Sequence, residues 1–276
     1  MIKKYSTTIV ALIAVIALII SVSTKNTFTK TDVATTVINN NEIRIGYIIY
    51  PPLLVKDPQS GQLSGVSYDI VEEAAKRLNI KTKWTEEVGW GSALEGLKTK
   101  RYDILGTQMW PNAARSREAV FSQAPFNNSI FTYVRNNDAR IHTDLSNLNS
   151  PAFTISLIDG EAATFIVKDF FPKAKTIILP QLASYSEVFL NVVNNKADLI
   201  MADESAANGF LKNNPGTLVK LSNAPIREYG NSFAFARGED SMANMWNVVV
   251  DEMIQDGTIE KILAKHNVLN DYSINK

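Results

Sequence analysis

The segment GTQMWPNAARSREAVFS, residues 106–122, brings together an indole at Trp110 and a guanidinium at Arg115. A guanidinium presents a rigid fork of donors that matches a carboxylate bidentately. Asn112 is a candidate N-cap, which places Arg115 in the first turn of a predicted short helix, where amide donors and the helix dipole also attract anions. One interpretation is therefore an anion site with Trp110 as its wall, which these residues alone do not establish. The alternative is that Arg115 is one charge on a solvated helix face.

Asp203 is a second candidate, because it follows the apolar segment ADLIMA and precedes a predicted helix. An Asp at this position commonly caps the helix by accepting from its first amides. Capping can leave one carboxylate oxygen for a ligand, so the two roles are compatible. The adjacent Glu204 could share or replace the ligand-binding role.

The composition excludes several classes of chemistry. Lys plus Arg and Asp plus Glu number 28 each among 276 residues, so there is no basic surplus and no nucleic-acid partner is predicted. The absence of cysteine excludes disulfides, thiol catalysis, Fe–S clusters and thiolate zinc sites. A histidine-rich metal site or a serine–histidine triad has little support from only two histidines, so we predict neither a metal nor a cofactor.

The N-terminus has the parts of an export signal over residues 1–23. Lys3 and Lys4 precede an apolar run at residues 9–20, and small residues follow it. The run is shorter than the roughly 20 apolar residues of a membrane span, although an uncleaved anchor is the alternative. A lipid anchor is excluded because it needs a cysteine. Residues 24–42, rich in Thr and Asn without a period, are predicted to be a flexible tether.

Short apolar strands alternate with helical segments from Glu42 onward, which is typical of βαβ units and of mostly parallel sheets with flanking helices. The clearest helix is SYDIVEEAAKRLNI, whose apolar residues fall on one stripe. Another helix is predicted to begin at Ser184 with a capping box completed by Glu187. Gly257 is predicted to interrupt the C-terminal helical region.

Two polar segments, at residues 135–151 and 223–231, interrupt this alternation. They indicate an α/β fold of two lobes, in which residues 43–134 and 230–270 form lobe 1 and residues 135–229 form an inserted lobe 2. Ligands of open α/β sheets bind at the carboxyl ends of the strands, and clefts between domains are preferred ligand sites. The predicted site is therefore a cleft between the lobes.

An ordered series of motifs from about Ile43 to His266 resembles the periplasmic amino-acid-binding proteins of ABC importers, the class-three solute-binding family. Each motif is weak alone, but their order and spacing together are specific. The segments that carry the resemblance are IRIGYIIYPPL, LSGVSYDIVEEAAKRL, EEVGWGSALEGLKTKRYDIL, ARSREAVFSQAPF, KADLIMADESAANGFL, EYGNSFAFARGED and QDGTIEKILAKHN.

The resemblance implies a type II periplasmic-binding-protein fold and a non-catalytic role. The expected function is to capture an amino acid, or a related small solute that bears a carboxylate or an amine, by closing two lobes around it. The expected partners are that small-molecule ligand and an ABC importer permease in the inner membrane. The expected protein is a periplasmic monomer.

The resemblance also assigns roles to residues. Arg115 matches the family's clamp for the ligand α-carboxylate, and Asp203 matches the aspartate that binds the ammonium, so the pair would hold both ends of a zwitterion. Tyr50 and Trp90 match positions that line the cleft. The full predicted set of ligand-binding residues is Tyr50, Trp90, Gln108, Trp110, Arg115, Gly160, Glu161 and Asp203.

Several of these positions depart from the family pattern. Gln108 and Trp110 stand where the family has small residues, and Glu161 and Ala162 replace hydroxyl residues that follow Gly160 in many members. Leu53 likewise replaces the phenylalanine that usually follows the prolines in family members. The loss of hydroxyl donors, and an acid beside a carboxylate, imply an aromatic, cationic or otherwise modified ligand.

Two other functions remain open at this stage. Cyclohexadienyl dehydratases resemble the family, and Glu161 or Glu204 could act as a general acid if burial raised its pKa. A ligand sensor that signals through a membrane partner is the third hypothesis.

Overall fold

The structure is a computed structural model that describes residues 32–275, apart from residues 137, 139 and 141–144. The predicted export signal at residues 1–23 and the first part of the predicted tether, residues 24–31, lie outside the described residues. Within the described residues, no helix combines the length and the apolar character needed to cross a membrane.

The described part of the chain alternates strands and helices. In chain order, the strands are β1 (Glu42–Tyr47), β2 (Val55–Lys56), β3 (Leu63–Ser64), β4 (Lys81–Glu87), β5 (Ile104–Met109), β6 (Ala119–Phe121), β7 (Phe126–Arg135), β8 (Thr154–Ile158), β9 (Lys175–Leu179), β10 (Leu199–Asp203), β11 (Leu218–Lys220), β12 (Arg227–Gly230), β13 (Ser232–Ala236) and β14 (Ser273–Ile274). The α-helices are α1 (Val33–Asn40), α2 (Val66–Arg77), α3 (Ala93–Lys98), α4 (Ala162–Phe170), α5 (Tyr185–Val193), α6 (Glu204–Asn213), α7 (Asp240–Gln255) and α8 (Thr258–Lys265).

The strands form two larger mixed sheets. The first sheet has the order β4-β1-β5-β13-β6, with β1 parallel to β4 and β5, and β13 antiparallel to β5 and β6. The second has the order β11-β7-β10-β8-β9, and β12 and β14 also pair with β7. The predicted α/β class with flanking helices is confirmed, but the prediction of mostly parallel sheets is wrong, because β13 and β7 pair antiparallel with their neighbours and make both sheets mixed.

Helix α2 shows why the sequence forms these elements. The predicted stripe is confirmed, since Ile70, Val71 and Ala74 are fully buried against the sheet. Gly257 lies between α7 and α8 with φ of 76°, a left-handed conformation that interrupts the helix as predicted. The prediction of a capping box at the start of α5 is wrong, because the Ser184 side chain makes no capping hydrogen bond.

The predicted tether is wrong for its second half, because residues 33–40 form α1. Val33, Ala34 and Val37 bury one face of this helix. Glu239 at the start of α7 accepts a hydrogen bond from the Val33 amide at 2.8 Å, and Asp32 caps the helix through the Thr35 amide. The segment is too short for a clear apolar period, so its docking could not be read from periodicity.

The first crossing between the sheets also differs from the prediction. Strand β7 pairs with β10, β11 and β12 along its length, so it belongs to the second sheet. The chain leaves the first sheet after β6 and enters the second at Phe126, not after residue 134. The polar segment at residues 135–151 therefore lies after a strand of the second sheet and does not connect the two sheets.

The chain returns to the first sheet between β12 and β13. This return crossing and the C-terminal segment both lie beside the first crossing. Gly230 ends β12, and a Cβ atom placed on it would come within 2.7 Å of the Ala124 Cβ atom in the first crossing. After α8 the chain returns to the second sheet, where β14 pairs with β7 and the buried Tyr272 packs edge-on against Phe126. Three stretches of chain thus meet where the sheets join.

Gly230→Ala should destabilise the protein by about 1–3 kcal/mol, because a side chain there forces the two crossings apart. Gly209→Ala is the matched control, because an added Cβ atom meets nothing within 4 Å. Gly209 lies on the exposed face of α6, away from the ends of the helix. That substitution should be neutral or stabilise by up to about 1 kcal/mol. Urea unfolding of both variants measures the difference, and equal stability of the two would contradict the close crossing.

Candidate functional site

Arg115 is placed by the end of β5. The chain turns after Trp110, and Asn112 Oδ1 accepts a hydrogen bond from the Arg115 amide at 2.8 Å. Asn112 therefore supplies the side-chain cap that the sequence predicted, although the helix is a single 3-10 turn over Arg115–Arg117. The turn points the guanidinium inward, and Arg115 is only 6% exposed.

The guanidinium of Arg115 is held by backbone carbonyl groups. It donates to the Trp110 carbonyl at 2.8 Å and to the Gly160 carbonyl at 2.9 Å, and it lies 5.4 Å from the centre of the Phe165 ring. In the described part of the chain, no carboxylate oxygen comes within 4.0 Å of it. Burial lowers the pKa of Arg115 to about 10. A buried cation held only by carbonyl groups is incompletely neutralised, so it remains able to bind an anion.

Gly160 brings the second sheet to Arg115. It follows β8 with φ of 77°, and a Cβ atom there would lie 2.4 Å from the Gly91 nitrogen. Glycine is therefore required both by the left-handed backbone and by the close approach of the loop after β4. The loops that follow β4 and β8 are therefore in contact, and the cleft between the two sheets is closed at this position.

Glu161 is the first residue after this turn and caps α4. Its carboxylate accepts from the Ala163 amide at 3.0 Å, and the residue is only 4% exposed. Burial raises the pKa of Glu161 to about 7, because removal from water disfavours the charged form more than the amide and Arg115 favour it. This capping role was not predicted, since Glu is an uncommon N-cap residue.

Asp203 lies at the junction of β10 and α6 and is fully buried. Its Oδ1 atom accepts from the Ala206 amide at 2.9 Å and from Ser205 Oγ at 2.6 Å, so the predicted capping role is confirmed. The Tyr50 hydroxyl donates to Oδ2 from the first-sheet side of the cleft. Ser205 also contacts the Tyr272 hydroxyl at 2.6 Å, which connects Asp203 to the C-terminal segment.

Aromatic rings surround the Asp203 side of the cleft. Tyr50 packs edge-on against Trp90 with ring centres 5.6 Å apart and against Tyr185 at 4.7 Å. Burial raises the pKa of Tyr50 well above its usual value, so its hydroxyl stays a donor. The arrangement provides an apolar wall with a hydroxyl directed at a carboxylate, which suits an ammonium or another cation.

Trp110 and Gln108 are held by neighbours on the Arg115 side. The Trp110 indole stacks on Tyr229 with ring centres 4.9 Å apart, and its Nε1 atom donates to Asn231 Oδ1 at 3.1 Å. Gln108 accepts from the Ser67 hydroxyl, whereas its buried Nε2 atom has no hydrogen-bond partner among the described residues. An unpartnered buried amide is costly, so this donor is available for a ligand acceptor.

A small cavity lies between these groups. Its volume is about 10 Å³, enough for roughly one water molecule. Six of the eight predicted residues line it, and Gly160 contacts Arg115 while Asp203 lies behind Tyr50. The lining residues are Tyr50, Leu53, Trp90, Gln108, Trp110, Arg115, Glu161, Ala162 and Asn231.

A much larger open cleft adjoins the cavity at Trp90. Its volume is about 780 Å³, and it is lined from both sheets by residues that include Pro51, Ile158, Tyr185 and Phe189. The small cavity and the open cleft thus share Trp90 as a common wall.

Some site residues were missed by sequence reasoning. Asn231 lies fully buried in the return crossing, where one polar residue beside a glycine in an apolar strand is a weak signal. Tyr185 could not be told from an ordinary core aromatic on an amphipathic helix. Glu204, an alternative in the sequence analysis, pairs with Lys220 and does not line the small cavity.

The chain belongs to the bacterial extracellular solute-binding proteins, family 3, whose profile matches residues 43–268. The family shows the class of protein, an extracellular solute-binding protein.

Curated relatives agree with this class, and a solved structure has the same fold. The probable amino-acid ABC transporter-binding protein of Haemophilus influenzae is 26% identical over 77% of this chain and 79% of its own length. The histidine-binding periplasmic protein of Escherichia coli is 25% identical over 90% of this chain and 96% of its own. The ancestral amino acid-binding protein AncCDT-1, a precursor of cyclohexadienyl dehydratase, superposes with a TM-score of 0.75 at 23% identity, covering 85% and 99% of the chains, which shows the shared fold.

Ser205→Ala should lower the free energy of unfolding by about 1.5–3 kcal/mol, because it removes a hydrogen bond to a buried carboxylate and leaves the Tyr272 hydroxyl without this partner. Ser184→Ala is the control, since that side chain is exposed and makes no capping bond. It should change stability by less than about 0.5 kcal/mol. Urea unfolding compares the two, and a Ser205→Ala variant as stable as the control would show that Asp203 is held by its other donors alone.

Proposed function

We propose that this protein captures a small amino-acid-class solute outside the cytoplasm and presents it to an ABC importer. The observation that carries the proposal is a pair of buried groups in one cleft: Arg115, which has no ion-pair partner among the described residues, and Asp203 beneath Tyr50. The names of the relatives, which include amino-acid, histidine, arginine and cystine binding, support this ligand class.

In this proposal Arg115 and Asp203 bind opposite ends of the solute. The Arg115 guanidinium exchanges its carbonyl partners for the ligand carboxylate, which gives shorter charge-assisted hydrogen bonds. The carboxylate of Asp203 and the rings of Tyr50 and Trp90 receive the ammonium. Gln108 Nε2 donates to a ligand acceptor, and Trp110 limits the size of the pocket.

Closure follows from the way the site is divided. Arg115, Tyr50 and Trp90 come from the first-sheet side, whereas Gly160, Glu161 and Asp203 come from the second. A ligand makes its full set of contacts only when the sides are together, so its binding energy favours the closed state. The two sheets with their helices act as lobes that turn about the crossings near Ala124 and Gly230.

The cellular setting follows from the same class. The basic and apolar segment at residues 1–23 is proposed to direct export, and the mature protein is proposed to act as a periplasmic monomer with an inner-membrane permease as its partner. The family is extracellular by description, which supports this location.

Arg115→Ala should lower affinity for the best-binding member of an L-amino-acid and amine panel by about 10- to 100-fold, because charge-assisted hydrogen bonds contribute about 1.5–3 kcal/mol each. Thermal-shift screening selects that member, since binding only to the folded state raises its stability. Titration calorimetry then measures affinity. Arg117→Ala is the matched control, because Arg117 lies in the same turn but is exposed. Equal affinity of the two variants would exclude the clamp.

An enzyme on this scaffold is the second candidate, and Glu161 is the observation that favours it. Its buried carboxyl has a pKa of about 7, which suits a general acid. We nevertheless infer a non-catalytic protein, because the curated relatives are named as binding proteins. Incubation of purified protein with prephenate or arogenate decides the matter, since turnover that Glu161→Gln abolishes would establish a dehydratase.

A further inference from the structure

The small cavity contains one cation and one acid that are not paired with each other. Arg115 and Glu161 both line it, yet the guanidinium donates to the Trp110 and Gly160 carbonyls and the carboxylate accepts from the Ala163 amide. No ion pair within 4.0 Å joins the two in the described part of the chain. The cavity therefore lies between a donor fork and a buried carboxyl group.

The groups that face Glu161 come from several elements, and only one of them is a cation. Arg115 lies in the 3-10 turn after β5, and Asp203 at the end of β10 adds negative charge. Tyr50 after β1, Tyr185 on α5 and Tyr229 on β12 are also close enough for Glu161 to influence their pKa values.

A carboxylate that binds Arg115 from this cavity must approach Glu161. If Glu161 stayed ionised, two carboxylates would share one guanidinium in a site from which water is excluded. Like charges that share a site raise each other's pKa, and a protonated acid becomes a hydrogen-bond donor. The repulsion is removed at once if Glu161 holds a proton.

We propose that Glu161 binds the ligand carboxylate in its protonated form, donating its hydroxyl to one oxygen while Arg115 donates to the ligand from the other side. The inference rests on the proposed function, and it makes Glu161 a residue that couples ligand binding to the uptake of one proton from solvent. The proton stays on the Glu161 carboxyl group, and no covalent bond to the ligand forms.

The sign of the pH dependence follows from this linkage. The pKa of Glu161 is about 7 in the closed cavity and rises further beside a ligand carboxylate, whereas an open cleft returns it toward its ordinary value of 4.5. Binding therefore takes up a proton wherever the open form is ionised. Affinity is highest at low pH and falls by up to tenfold per pH unit as the pH rises through the window between the open and the bound pKa.

The experiment is titration calorimetry of the protein without its proposed export signal, with the proteinogenic L-amino acids as ligands. Histidine is left out, because its imidazole titrates in the same pH range as Glu161. Each amino acid that binds is measured at pH 7.0 in phosphate and in Tris, whose ionisation enthalpies differ widely, and then in one buffer from pH 6.5 to 8.0. The dependence of the observed heat on the buffer gives the number of protons taken up.

Wild type should take up close to one proton per bound amino acid, and its affinity should fall as the pH rises. Glu161→Gln should bind without proton uptake and with a flat pH profile, because its amide donates to the carboxylate at every pH. Glu204→Gln is the matched control and should behave as wild type, since Glu204 pairs with Lys220 outside the cavity.

Three results would overturn the proposal. Wild-type binding without proton uptake excludes it, and so does uptake that persists in Glu161→Gln; both leave the proposed function standing. Absence of binding for every amino acid overturns the proposed function and this proposal with it. If Glu161→Gln does not fold, as judged by its thermal melt, wild-type uptake and pH profile decide alone.

Discussion

The buried guanidinium of Arg115 is held by two backbone carbonyls that come from opposite sides of the cleft, Trp110 after β5 and Gly160 after β8. Carbonyl groups accept hydrogen bonds from a cation but carry no net charge, so the cost of removing Arg115 from water is only partly offset. This constraint explains the neighbouring features. Gly160 must be glycine so that its carbonyl can reach across, and Asn112 must fix the turn that aims the side chain.

Magnitudes show why the charges in this cleft are distributed as they are. Two unit charges about 4 Å apart interact with about 4 kcal/mol at the effective dielectric of a partly buried site. One pKa unit corresponds to about 1.4 kcal/mol, so a neighbouring charge decides the protonation of a carboxyl group whose pKa is already about 7. Asp203 accepts hydrogen bonds from three donors, on Tyr50, Ser205 and Ala206.

Much of the fold could be predicted from the sequence, because apolar stripes and strand–helix alternation report directly on burial. From the residues alone, Arg115 could equally have been a charge on a solvated helix face, and only the resemblance in motif order and spacing favoured an anion site. Glu161 was in the predicted set of ligand-binding residues, but its burial and the position of Asn231 in the cavity wall could not be predicted, because both depend on contacts between segments far apart in the chain. Helix α1 was not predicted, because its three buried residues form too short a pattern to show a helical period.

The position predicted for the first crossing between the sheets was wrong for a related physical reason. A polar segment marks a solvated connection, and residues 135–151 are polar, but the connection that joins the sheets is short and partly buried around Ala124 and Gly230. Burial at a junction requires small residues and satisfied backbone groups more than polar ones. Composition alone therefore points to the wrong connection in a fold whose crossings are packed against each other.

The C-terminal strand β14 has a consequence for attaching reporters to this protein. Asn275 donates to the Ala124 carbonyl at 2.7 Å, so this residue lies beside the junction of the two sheets. A fluorophore placed there would sit near the axis of any lobe rotation and would move little. A label at Leu182, which is 67% exposed at the rim of the large cleft, would sweep through a longer arc. A donor at position 275 and an acceptor at the rim would thus convert the proposed cleft closure into a change of distance.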